Sequence, residues 1–102
     1  QSPLKLIIYL FSTCVLVPIG EEIFYRRLLY VSLRHKLAFI PSLLISAVLF
    51  GAVHPSGPVP ALATGLFLGW IYEKKENLPV IIIVHGLINF SAVLFLIFIS
   101  IK

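Results

Sequence analysis

PVIIIVHGLINFSAVLFLIFISI, Pro79 to Ile101, runs for twenty-three residues without one Asp, Glu, Lys or Arg. Crossing a hydrocarbon core of about 30 Å takes about twenty apolar residues in a helix, so this stretch reads as a transmembrane span. The rest of the chain agrees with it. Hydrophobic residues make up 60% of the 102 and charged ones 12%, with mean hydropathy +1.08. A soluble domain carries about a quarter of its residues charged, and with half of that lipid is the better solvent. The length allows one compact domain, residues 1–102. Because the chain opens on Gln1 and is apolar from the start, it reads as a piece of a longer polytopic membrane protein.

The net charge of +4 does not point to nucleic acid. The basic residues cluster at the ends of apolar runs, as Arg26, Arg27, Arg34 and Lys36 and then as Lys74 and Lys75. That is where lysine and arginine mark cytoplasmic loops. The sequence has no RNA-binding Gly/aromatic pattern, no paired Cys/His finger and no P-loop. Cys14 stands alone in an apolar run, has no partner for an internal disulfide, and reads as a small core residue.

Outward from the last span, a first apolar stretch from Leu4 to about Gly20 continues as a more polar helix to about Leu33, with a kink expected at Pro18 and Gly20. At ~1.5 Å per residue its thirty residues reach about 45 Å. The tetrad Arg34 to Leu37 is its first turn outside the bilayer. A second helix is expected from Pro41, a residue suited to a first turn, to about His54, ending at the break Pro55 to Pro58. A third runs from about Pro60 to Tyr72, with Gly65 and Gly69 spaced for close helix approach. Residues 73–77 read as a charged loop. With the loops at 34–37 and 73–77 both cytoplasmic, helices two and three form a hairpin of about 14 and 13 residues, roughly 20 Å each. Short proline-broken segments at membrane depth persist only where they line a cavity or pack against protein. The expected architecture is all-α, a polytopic transmembrane bundle of about four helices with a short proline-broken hairpin lining a site. The same count puts Glu21 and His54 about 20 Å from the loops but His85 only about 10 Å, so the fourth helix must tilt or start deeper.

Charged side chains at mid-membrane cost several kcal/mol each, which makes an ionisable residue there a functional hypothesis. Glu22 and Arg26 are four apart and share a helix face as an i,i+4 pair. Glu21 points about 100° away from Glu22, free for other work. His54 at the end of the second helix reads, taken alone, as a C-terminal cap. His85 and Asn89 share one face of the most apolar helix, as catalytic groups or as an interhelical hydrogen-bonding pair. His35 sits in the basic loop and needs no explanation beyond solvation. Taken jointly, Glu21, His54, His85 and Asn89 suit two chemistries. A glutamate and a histidine activate a water for attack on an amide while the second histidine and the asparagine bind the oxyanion. Alternatively Glu21, His54 and His85 hold a divalent metal such as zinc, which lowers the pKa of its bound water. The HExxH signature of familiar zinc proteases is absent.

EEIFYR (Glu21 to Arg26), FGAVH (Phe50 to His54) and HGLIN (His85 to Asn89) resemble, in order, the EExxxR, FxxxH and HxxxN motifs of the CPBP family. That family comprises CAAX prenyl proteases, Abi-type and bacteriocin-processing intramembrane proteases, and lysostaphin-resistance-like proteins, and it has been labelled metalloprotease. The resemblance covers about residues 15 to 90. It implies an intramembrane endopeptidase in which Glu21 and His54 activate water, His85 and Asn89 form the oxyanion site, and Glu22 with Arg26 is a structural pair. No cofactor is required by that mechanism, although zinc fits the metalloprotease label. Many relatives follow the motif arginine with glycine, where this chain has Arg27. The implied partners are membrane lipids and a membrane-associated peptide or protein, either a prenylated C-terminus or, in a prokaryotic plasma membrane, a leader peptide or bacteriocin-related target. Two rival functions remain: a catalytically idle immunity or scaffold protein, and a fragment of a transporter whose buried Glu and His relay protons.

Overall fold

The computed structural model describes residues 2–55 and 57–101; of the Pro55 to Pro58 break, Ser56 therefore lies outside the described residues. Over the described residues the chain is all-α. Four helices follow one another: α1 (Pro3–Arg34), α2 (Phe39–Ala52), α3 (Pro58–Lys75) and α4 (Leu78–Ser100). The helices α1 and α4 are long and apolar enough to cross a membrane. Large apolar side chains such as Ile7, Phe11, Leu94 and Phe98 are exposed along them, which suits a lipid surround and not water.

Helix α1 is not wound uniformly. Ser2 caps its start and Pro3 occupies the first turn. Two π-helical stretches, Ser12–Leu16 and Ile23–Tyr30, flank an α-helical segment Val17–Glu22. The first has a local cause. Val17 N–H bonds back to the carbonyl of Ser12, five residues away, and Pro18 has no N–H to give. The Thr13 carbonyl thereby loses both of its ordinary helical donors. The expected kink at Pro18 and Gly20 is thus a widened turn that frees a carbonyl.

Helices α2 and α3 pack backbone to backbone, as the glycine spacing anticipates. A Cβ on Gly65 would lie 3.2 Å from Cα of Ala47, and one on Gly69 would lie 2.6 Å from Cδ1 of Leu43. Helix α3 is longer than expected, with eighteen residues covering about 27 Å. Glu73, Lys74 and Lys75 are its last turn and not a loop. The two lysines suit the negative end of the helix dipole, and Arg34 holds Glu73 through contacts of 2.9 and 3.1 Å. The helix stops at Glu76, which takes the left-handed conformation with φ 49°. Asn77 then caps α4, its Oδ1 accepting from Val80 N–H at 3.1 Å.

These contacts place both polar loops at the same end of the bundle and resolve the depth mismatch. Tyr30 donates to Glu73 at 2.5 Å and packs edge-on against Tyr72. The end of α3 is therefore level with Tyr30, one turn deeper than Arg34. From that level Glu21 lies nine residues along α1, about 13.5 Å, and His85 seven residues along α4, about 10.5 Å. Side-chain reach covers the remaining gap. Leu43, Leu68 and Ile81 join Tyr30 and Tyr72 in the buried core that sets this spacing.

Candidate active site

Three elements converge about halfway along α1. Glu21 and Glu22 close the α-helical segment of α1, His54 follows the end of α2 at Ala52, and His85 lies inside α4. His54 was expected to end the second helix; it instead sits two residues past it. Its Nδ1 is 2.6 Å from the Phe50 carbonyl. A carbonyl only accepts, so Nδ1 carries the proton and Nε2 is the nitrogen left for chemistry. That Nε2 is 3.3 Å from Oε2 of Glu21.

His85 is held at both ring nitrogens. Its Nδ1 is 2.6 Å from Oε2 of Glu22, and its Nε2 is 3.4 Å from Oε1 of Glu21. Adjacent glutamates some 100° apart on a helix thus grip one imidazole, one per nitrogen. Glu21 in turn is bracketed by two Nε2 atoms from two other elements. A bare ring nitrogen repels a carboxylate, so each of these contacts attracts only with a proton between the two atoms.

Glu22 and Arg26 form the expected pair, Oε1 to Nε at 3.2 Å, with both side chains fully buried. The guanidinium also approaches the Gly65 carbonyl of α3 at 3.4 Å and lies 5.6 Å from the centre of the Phe50 ring. Phe50 is a residue whose role the sequence did not reveal. Its ring stands 4.4 Å from that of His54 and 5.9 Å from that of His85, and its carbonyl fixes the His54 tautomer. It was legible only as one letter of FGAVH.

Asn89, one turn beyond His85, donates from Nδ2 to the Thr13 carbonyl at 2.8 Å, the carbonyl freed by Pro18. Between these two residues, Gly86 lets α4 touch α1: a Cβ there would collide with the backbone oxygen of Cys14. Glu21, His54, His85 and Asn89 all line one cavity of about 440 Å³ whose other walls include Val17, Ile88 and Val93. His35 lies apart, beside Arg34 and Glu73 at the loop end. Among the described residues no three or more His, Cys, Asp or Glu side chains form a group disposed to hold a metal ion. Glu21, His54 and His85, the donors that zinc would need, face one another at 3.3 and 3.4 Å and are not disposed as such a group.

Fold and site together define the class: a helical integral membrane protein with a partly buried carboxylate–imidazole centre open to an apolar cavity. The family follows from comparison. The chain belongs to the Rce1-like family, type II CAAX prenyl endopeptidase Rce1-like, whose model matches residues 3–91. It is 34% identical over 79 residues to the UPF0177 protein YxdF of Lactococcus lactis subsp. lactis (strain IL1403), which covers 74% of this chain. The chain spans 42% of the length of that relative. No solved structure matches it.

Proposed function

We propose that this chain forms the catalytic core of a CAAX-type intramembrane endopeptidase. It would hydrolyse a peptide bond of a membrane-associated protein or peptide in a prokaryotic plasma membrane, with the loops at 34–37 and 73–77 facing the cytoplasm. The observation that carries the reading is the Glu21 carboxylate, bracketed by Nε2 of His54 and Nε2 of His85 on the wall of an apolar cavity.

Charge balance supports acid–base work at this point. Glu21 and Glu22 carry two negative charges against the single positive charge of Arg26, so one proton shared over Glu21 and the two imidazoles makes the cluster neutral. In a low dielectric a neutral cluster is strongly favoured over a net charge. In the proposed reaction Glu21 and His54 take a proton from a water as its oxygen attacks the amide carbon. His85 Nε2–H and the second amide hydrogen of Asn89 donate to the developing oxyanion. Collapse of the tetrahedral intermediate breaks the C–N bond, and the proton taken from water passes to the leaving amine. Glu22 and Arg26 hold the first motif in place.

The test incubates the purified protein in detergent micelles with prenylated C-terminal peptides and unprenylated leader-type peptides, reading products by mass spectrometry. Wild type should release a defined product from one of the pools, His54→Gln should not, and a chelator should leave the rate unchanged. Absence of any wild-type product, or undiminished cleavage by His54→Gln, contradicts the proposal.

A further inference from the structure

The geometry points to Glu22 as a positioning residue that fixes the proton of His85 on Nδ1 and so reserves Nε2 for Glu21 and the cavity. The kinetic arm of this inference rests on the proposed hydrolysis, but its structural arm does not.

Glu22 divides its two oxygens between two partners. Oε1 faces Nε of Arg26 at 3.2 Å, and Oε2 faces Nδ1 of His85 at 2.6 Å. Glu22 and Arg26 are fully buried and the His85 side chain is 3% exposed, so no solvent competes for either contact. An ionised carboxylate only accepts. Facing it at 2.6 Å, Nδ1 must therefore carry a hydrogen. The one nitrogen of His85 that can gain or lose a proton during turnover is then Nε2, which faces Glu21. The titratable groups that face this ring are Glu21 and Glu22 of α1, with His54 on the far side of Glu21. Conversion of a buried orienting carboxylate to its amide is known to leave geometry intact while selecting the wrong histidine tautomer.

The same contacts dictate what Glu22→Gln would do. The guanidinium of Arg26 can only donate, so the amide oxygen must turn toward it. That leaves the amide NH2 facing Nδ1 of His85. Two donors cannot share that contact, so Nδ1 becomes the bare nitrogen and the proton moves to Nε2. The tautomer is inverted with nearly the same side-chain volume and the same fold. A carboxylate acting only as the counter-charge of Arg26 predicts no such inversion.

The test uses the protein labelled with 15N-histidine in detergent micelles at neutral pH. Resonances are assigned by difference from His35→Gln and His54→Gln. Wild type should show Nδ1 of His85 in the protonated range. Glu22→Gln should move that resonance to the bare-nitrogen range, and Glu22→Asp, which keeps the acceptor, should restore it. With a cleaved peptide, Glu22→Gln keeps a neutral Nε2–H but loses the doubly protonated, charge-assisted donor that Glu22 supports. Its kcat should therefore fall about tenfold or more with KM within about threefold, the pattern of an interaction made only in the transition state. A bare Nδ1 in wild type overturns the inference, and that reading stands even if Glu22→Gln does not fold. A protonated Nδ1 in folded Glu22→Gln, or an inverted tautomer with unchanged kcat, also overturns it. If wild type cleaves nothing, the hydrolytic reading fails by itself, and the nitrogen resonances still decide the role of Glu22.

Discussion

Replacing Arg26 with methionine tests how the buried charges are balanced. At 3.2 Å from Glu22 and an effective dielectric of about 20, the attraction lost is about 5 kcal/mol. Desolvating a guanidinium offsets part of that, and methionine fills much of the vacated volume. What decides the outcome is the partner left behind. Glu22 is fully buried and would retain only the His85 contact, and breaking a buried pair from one side costs about 3–5 kcal/mol. Arg26→Met should fall in that range. Combining it with Glu22→Gln removes the stranded charge, so the double variant should be less destabilised than the sum of the singles by about 1–3 kcal/mol. The assay is SDS-titrated unfolding in mixed micelles, followed by circular dichroism and by the fluorescence of Trp70, the single tryptophan. A cost below about 1 kcal/mol for Arg26→Met, or strictly additive losses, would refute the charge argument.

Three further outcomes follow from particular contacts. Gly86→Ala drives a Cβ into the backbone oxygen of Cys14 and should cost about 1–3 kcal/mol. Gly20→Ala, with nothing within 4 Å, should be neutral or stabilising by up to about 1 kcal/mol; equal effects in the same unfolding assay would dismiss the close α1–α4 approach. Asn89→Ala orphans the Thr13 carbonyl and removes the proposed oxyanion donor, so kcat should fall about 10²–10³-fold, and a drop in thermal stability with kcat intact would assign Asn89 to packing alone. The guanidinium of Arg34, then the hydroxyl of Tyr30, hold the Glu73 carboxyl below its ordinary 4.5. The unfolded chain therefore binds more protons below that value, so this contribution is present above pH 4.5 and is lost as pH falls through the depressed folded value. Glu73→Gln should flatten that acid limb, and an unchanged limb in thermal unfolding from pH 6 to pH 3 would contradict the assignment.

The parts of the fold legible in sequence were those governed by local composition. The uncharged run that became α4 and the Gly65/Gly69 contact follow from residue type and spacing, whereas the starts expected at Pro41, Pro60 and Pro79 fall one or two residues late, the helices opening at Phe39, Pro58 and Leu78. The end of α3 did not, because Glu73, Lys74 and Lys75 look like loop until Arg34, thirty-nine positions away, is seen to hold Glu73. The neighbouring contact of Tyr30 with Glu73 accounts for the apparent depth error of His85. The site residues were nameable from spacing and from motif resemblance, yet the division of labour between the glutamates was not. The i,i+4 rule finds Arg26 for Glu22, but no local rule finds His85, sixty-three positions away. The Thr13 carbonyl was not legible either: the proline rule alone orphans the carbonyl four residues upstream, that of Cys14. Only the π-helical turn, with Val17 N–H bonded to Ser12, shifts the free acceptor to Thr13, where Asn89 meets it.

The claim that Glu21 is the base at the centre of this cluster is tested most directly by the cleavage rate of Glu21→Gln. Glutamine keeps the size and most of the contacts of Glu21 but cannot take a proton from water. Measured in detergent on a peptide that wild type cleaves, its kcat should fall about 10³-fold or more, with the unfolding midpoint within about 1 kcal/mol of wild type. A Glu21→Gln protein that cleaves within about tenfold of the wild-type rate would contradict the account.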